Sequence, residues 1–111
     1  MRQTIGTAKN EIFFSLASVW EVAIKHISNP RSMPVSDEDF IRYCFELGYN
    51  LFPIKAEHIA LLKTLQRHVD APMHKDPFDR LLICQAKFEN MKFMTHDRLL
   101  PDYDEPCIML V

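Results

Sequence analysis

The sequence predicts an α/β domain with a mostly parallel sheet, because short strand-like runs alternate along it with longer helical patterns. Apolar runs suited to buried strands stand at Ile12–Ser15, at Lys92–Thr95 and over residues 107–111. Between them lie stretches with apolar residues every three or four positions, the spacing of a helix with one buried stripe. Two helix openings are strongly marked, one by a serine ahead of three acids and one by an Asp-Pro pair. With 111 residues, 48% of them apolar, the chain has room for one domain, residues 1–111, and apolar surface for a core.

Residues 1–10 are polar around Gly6 and read as the tail of a helix or a lead-in loop. Ile12–Ser15 carries two aromatics between polar neighbours and reads as a buried strand. Leu16, Val19, Trp20, Ala23, Ile24 and Ile27 then form one stripe at helical spacing, which assigns Trp20 to the core. Ser28, Asn29 and Pro30 end that helix, since proline has no N–H for the next helical bond. After a connector over 29–35, Ser36 caps a second helix, with Asp37, Glu38 and Asp39 beside the positive end of its dipole. Gly48 terminates it. A short extended piece over 50–54 leads to a third helix over 56–65. Residues 66–75 have no periodicity and form a loop. Asp76 as N-cap and Pro77 in the first helical position open a helix that runs through Phe88. The strand Lys92–Thr95 follows, then a short turn of helix or a loop over 96–100, an irregular stretch over 101–106 and a last strand.

Composition excludes more than it selects. No apolar run approaches the roughly 20 residues of a membrane span, and the opening residues lack the apolar centre of a secretory signal. Cys44, Cys84 and Cys107 are isolated, with no C-x-x-C pair, which fits buried thiols in a reducing cytoplasm. The net charge of −2 gives no long-range pull on phosphates, yet clustered metal-binding acids would themselves lower the charge. The five histidines lack the H-E-x-x-H spacing of a zinc site; His96 beside Asp97 and His74 near Asp76 either line a pocket or, the preferred reading, are surface or loop residues. Two glycines in the whole chain argue against a nucleotide-cradling loop.

Three acids stand at helix openings or just beyond a strand, where α/β sheets form their sites. Glu21, one turn into the first helix, either closes a capping box with Ser18 or projects towards the strand ends as a metal ligand. Asp79 either steadies its helix dipole, worth about 0.3–1 kcal/mol, or ligates. Asp97 follows a strand directly and either caps the next turn or ligates. Each acid has an innocent explanation alone. In a parallel sheet, however, these positions meet at one edge, where carboxylates repel one another unless a cation lies among them. Hard oxygen donors favour Mg²⁺ or Mn²⁺, and such a site can activate water for phosphodiester cleavage.

Three strings together resemble the VapC-like branch of the PIN-domain family: SLASVWEVAIK from Ser15 to Lys25, HKDPFDRLLICQA from His74 to Ala86, and MTHD from Met94 to Asp97. The second is the specific one. The resemblance runs from about residue 10 to the C-terminus. It implies a three-layer α/β/α domain with endoribonuclease activity dependent on Mg²⁺ or Mn²⁺. It carries catalytic and metal-binding roles onto Glu21, Asp79 and Asp97, with Asp76 and Thr95 as accessory residues. It further implies a cytoplasmic toxin of a type II toxin–antitoxin system, acting on RNA, forming a homodimer and silenced by a cognate antitoxin.

The family opens with a strand ending in an aspartate, of the L-L-D-T-H type, and residues 1–11 carry no such string. The expectation is therefore a domain lacking its N-terminal, central strand and its first carboxylate, with Met1 matching an internal methionine. Strands flanking the gap would leave unpaired backbone groups, each costing about 1–3 kcal/mol if buried. A chain so reduced is either a weakened ribonuclease or an inactive protein that acts only by binding an antitoxin or itself.

Overall fold

The computed structural model describes residues 4–6, 11–71, 74 and 76–111. Five strands form one sheet: β1 (Thr4–Gly6), β2 (Ile12–Ser15), β3 (Asn50–Phe52), β4 (Lys92–Thr95) and β5 (Ile108–Leu110), in the order β3-β2-β1-β4-β5. The helices are α1 (Leu16–Ser28), α2 (Asp37–Glu46), α3 (Ala56–Ala60) and α4 (Pro77–Glu89), with 3₁₀ turns at Leu61–Thr64 and Leu100–Tyr103. β2 pairs in parallel with β3, and β4 with β5, while β1 runs antiparallel to both β2 and β4. Among the described residues, four strands therefore share one direction, and only the short central one opposes them.

That central strand corrects the sequence reading. Residues 4–6, read as a helix tail or lead-in loop, occupy the position expected to be empty, with Ile5 opposite Phe13 on one side and Phe93 on the other. Residues 1–3 and 7–10 lie outside the described residues. The physical reason is backbone pairing: β2 and β4 would otherwise present unmatched N–H and C=O groups, and any short segment without proline can answer them. Three residues containing a glycine show no alternation from which a strand could be read.

Successive residues of a strand face opposite sides, and β2 shows the consequence. Phe14 packs with Val19, Val22, Phe40 and Cys44 under α1 and α2. Phe13 lies against the larger cluster of Leu82, Ile83, Phe93 and Leu100, roofed by α4. The sheet thus lies between two helical layers, as the α/β/α expectation required. α1 is turned differently from its predicted stripe: Ala17, Ser18 and Val22 are buried, whereas Trp20 is 55% exposed and Ile27 80%. The small residues let the helix approach the sheet, and Trp20 instead rests edge-on against Phe78 with ring centroids 5.0 Å apart.

Local caps follow chemistry already visible in the sequence, with exceptions. Ser36 accepts from the Asp39 N–H at 3.1 Å, and Gly48 takes the left-handed φ of 82° beyond α2. α1 is capped by Ser15 rather than Ser18, so the Ser18–Glu21 capping box does not form. The helix expected over 56–65 tightens to 3₁₀ geometry after Ala60; residues 96–99 form a loop with a turn, one of the two forms expected there, and a 3₁₀ turn occupies Leu100–Tyr103 within the stretch expected to be irregular. Cys44 and Cys84 are buried as expected, and burial pushes the Cys84 thiol up to about 11.

α3 is tied to α4 through a buried imidazole. His58 Nδ1 accepts from the Lys55 N–H at 3.0 Å, which leaves the proton on Nε2, facing Glu89 Oε2 at 2.9 Å. This hydrogen bond, with help from Lys55, holds the Glu89 carboxyl below its ordinary value of 4.5. Because the folded pKa is depressed, the contribution is complete above the unfolded value and fades as pH falls through the folded one. Thermal melts between about pH 5 and pH 3 should show Glu89→Gln losing less stability on acidification than the parent chain. Parallel pH profiles for the two would refute this assignment.

Candidate metal centre

The carboxyl ends of β2 and β4, with the N-terminal turn of α4, carry the acids singled out from the sequence. Asp76 is the N-cap of α4 as expected: its Oδ1 accepts from the N–H groups of Phe78 at 2.9 Å and Asp79 at 3.3 Å. Pro77 fills the first helical position, where the missing N–H costs nothing. Asp79, two residues further on, is 4% exposed. On the opposite side Thr95, fully buried at the end of β4, accepts the Asp97 N–H at 3.0 Å, and Asp97 Oδ1 accepts the Leu99 N–H at 2.9 Å. Asp97 therefore caps a turn while its carboxylate faces Asp79.

Asp79, Asp97 and His74 can each offer one ligand atom such that all three atoms lie within 4.8 Å of one another. Glu21 is not in that group. It is buried on α1, its Oε2 2.8 Å from Lys25 Nζ, and borders the same cavity of about 830 Å³ as Asp76, Asp79 and Asp97. Lys25, His96 and Arg98 also reach that cavity, together with apolar residues of α1 and α2. The structure thus brings Asp79 and Asp97 into direct proximity and keeps Glu21 on the shared wall, paired with a cation.

His74 corrects the preferred sequence reading and favours its alternative, a place beside the site. Assigned there to a surface or loop role, it is 8% exposed, with Nε2 3.3 Å from Asp79 Oδ2 and Nδ1 2.6 Å from the Tyr103 hydroxyl. Its position in a string without periodicity gave no burial signal. The one available clue was its place three residues from the N-terminus of α4, ahead of the Asp-Pro cap. Burial lowers the His74 imidazole below its ordinary 6.5, against the pull of Asp97, so the ring is neutral at pH 7 and does not cancel the carboxylates. His96, by contrast, is exposed and bonds Val111 O, as a loop residue does.

Two close carboxylates in a largely buried recess, with the His74 ring beside them, offer oxygen donors that suit a hard divalent cation. The fold and this cluster define a class: an α/β domain that gathers acidic donors beyond the ends of its parallel strands. The family profile of the PIN domain matches residues 1–106, almost the full length, and the chain belongs to the PIN-domain family. PIN domains are in general metal-dependent nucleases that act on RNA. No curated protein and no solved structure matched the chain. The match starts at residue 1, so the opening segment falls inside the family domain, although its one acid is Glu11.

Proposed function

We propose that this chain is a Mg²⁺- or Mn²⁺-dependent endoribonuclease, the toxin of a type II toxin–antitoxin pair. The observation that carries the nuclease reading is the close approach of Asp79 and Asp97 on the wall of a cavity, with His74 buried beside them, in a PIN-domain chain. Asp79 and Asp97 would hold the cation, with Glu21 facing the same space. Bound there, the cation supplies Lewis-acid stabilisation of charge developing on the scissile phosphate.

The remaining work falls to the chain's own groups. Thr95 fixes the turn that aims Asp97, and the Asp76 cap holds Asp79 in the first turn of α4. Lys25 and Arg98 offer positive charge to phosphates, and the apolar lining limits access of bulk water. The toxin reading is supported by the string from His74 to Ala86. An antitoxin or a second copy of the chain, as in a homodimer, would cover the exposed row of Leu16, Trp20, Ile24 and Ile27 on α1. Light scattering that finds a monomer refutes the homodimer. Three free cysteines suit a reducing cytoplasm, and no described helix is long and apolar enough to cross a membrane.

The test is incubation of the purified chain with RNA and Mn²⁺, with and without a chelator. Cleavage that the chelator abolishes is expected. Chelator-resistant cleavage would overturn the metal reading. Absence of cleavage by a chain that still holds an antitoxin would favour the alternative, an inactive protein acting by binding alone.

A further inference from the structure

We propose that His74 is a positioning residue, which together with Tyr103 orients the carboxylate of Asp79 for a cation; this rests on the metal-site reading above. Three side chains form the relay, and all are buried: Tyr103 at 3% exposure, His74 at 8% and Asp79 at 4%. The proton inventory fixes its direction. A phenol hydroxyl 2.6 Å from Nδ1 donates to it, which places the imidazole proton on Nε2, aimed at Asp79 Oδ2 at 3.3 Å. The opposite tautomer would turn a bare Nε2 lone pair towards a carboxylate oxygen.

Each member of the relay is itself held. The imidazole stands edge-on to the Tyr103 ring, with centroids 5.3 Å apart and planes at 88°. The Arg67 guanidinium lies over the same ring, 4.7 Å from its centroid. Arg67 Nη1 also donates to Leu99 O at 2.7 Å, and Leu99 belongs to the turn that Asp97 caps. The anchor that orients Asp79 is therefore also attached to the segment carrying Asp97. Groups that orient a metal's ligands in this way govern affinity without touching the ion.

The test combines Mn²⁺ titration by calorimetry with nitrogen NMR of the histidine rings in metal-free protein. Wild-type His74 should show the Nε2–H tautomer. His74→Ala should bind Mn²⁺ roughly 10- to 100-fold more weakly. His74→Gln, whose amide N–H can reach Asp79, should recover part of the loss. Tyr103→Phe should weaken binding in the same direction but less, and adding it to His74→Ala should cost little more, since the two act as one unit. Melting temperatures identify any variant that fails to fold, and the NMR measurement on the unmutated chain stands independently of them.

Unchanged Mn²⁺ affinity in a folded His74→Ala overturns the proposal, as does an Nδ1–H tautomer. Nitrogen hyperfine coupling to bound Mn²⁺ that His74→Gln removes also overturns it, because His74 would then be a ligand. A wild-type chain that takes up no Mn²⁺, and is matched by Asp97→Asn, defeats the metal-site reading itself, a different and recognisable result.

Discussion

Asp97→Asn is expected to reduce Mn²⁺-dependent RNA cleavage by more than about 100-fold, since even outer-shell substitutions at metal sites cost 10- to 100-fold. The substitution isolates charge from structure. Asparagine keeps an oxygen where Asp97 Oδ1 accepts the Leu99 N–H, and it caps turns about as well as aspartate. The Asp97 N–H can still donate to Thr95 Oγ1. What disappears is one of two close negative charges, and with it much of the attraction for a cation. Stability should change by less than about 1 kcal/mol, and removal of the carboxylate repulsion could even raise it. Initial cleavage rates and urea melts on the same preparations would check both halves. Cleavage at the wild-type rate would remove Asp97 from the machinery.

Gln85→Ala is expected to cost about 2–4 kcal/mol of stability, the largest loss foreseen for a polar side chain outside the candidate site. Gln85 is fully buried in the otherwise apolar run of α4. Its Oε1 accepts the Ser15 hydroxyl, and its Nε2 donates to Pro53 O at 3.2 Å. One side chain therefore joins α4 to the end of β2 and to the segment after β3. Alanine would leave the Ser15 hydroxyl and the Pro53 carbonyl without those partners and open a small void besides. Ser15 also caps α1, the helix that carries Glu21, so the loss should extend to one wall of the cavity. Urea unfolding with an unchanged slope and a lowered midpoint is the expected signature. A loss below about 0.5 kcal/mol would show that water or repacking replaces the amide.

What the sequence made legible was local. The Asp-Pro opening of α4, the serine cap of α2 and the apolar run of β2 each depend on residues within a few positions, and each stands as read. The sequence reading has Glu21, Asp79 and Asp97 meet at one edge of the sheet; the structure brings Asp79 and Asp97 together and leaves Glu21 on the wall of the shared cavity. The features that escaped depend on distant partners. β1 is a strand only because β2 and β4 flank it. His74 is buried only because Tyr103 and Asp79 close around it. Trp20 was assigned to the core because a stripe at helical spacing does not say which of its edges meets the sheet. Gln85 gave no sign, since a single polar residue in an apolar helix looks like a solvent-facing one until its two partners are in place.

The position of β1 also sets an order of events during synthesis. Its three residues leave the ribosome well ahead of one of its two neighbours, β4, which lies near position 93. The β1–β2 ribbon can form soon after its own residues emerge, but the sheet cannot close until β4 and β5 have followed. Asp97 follows β4 by two residues and becomes available only then. A growing chain cannot assemble the cluster of Asp79, Asp97 and His74 before β4 and the turn after it have emerged, so the ribosome that makes it is not exposed to a completed site until then.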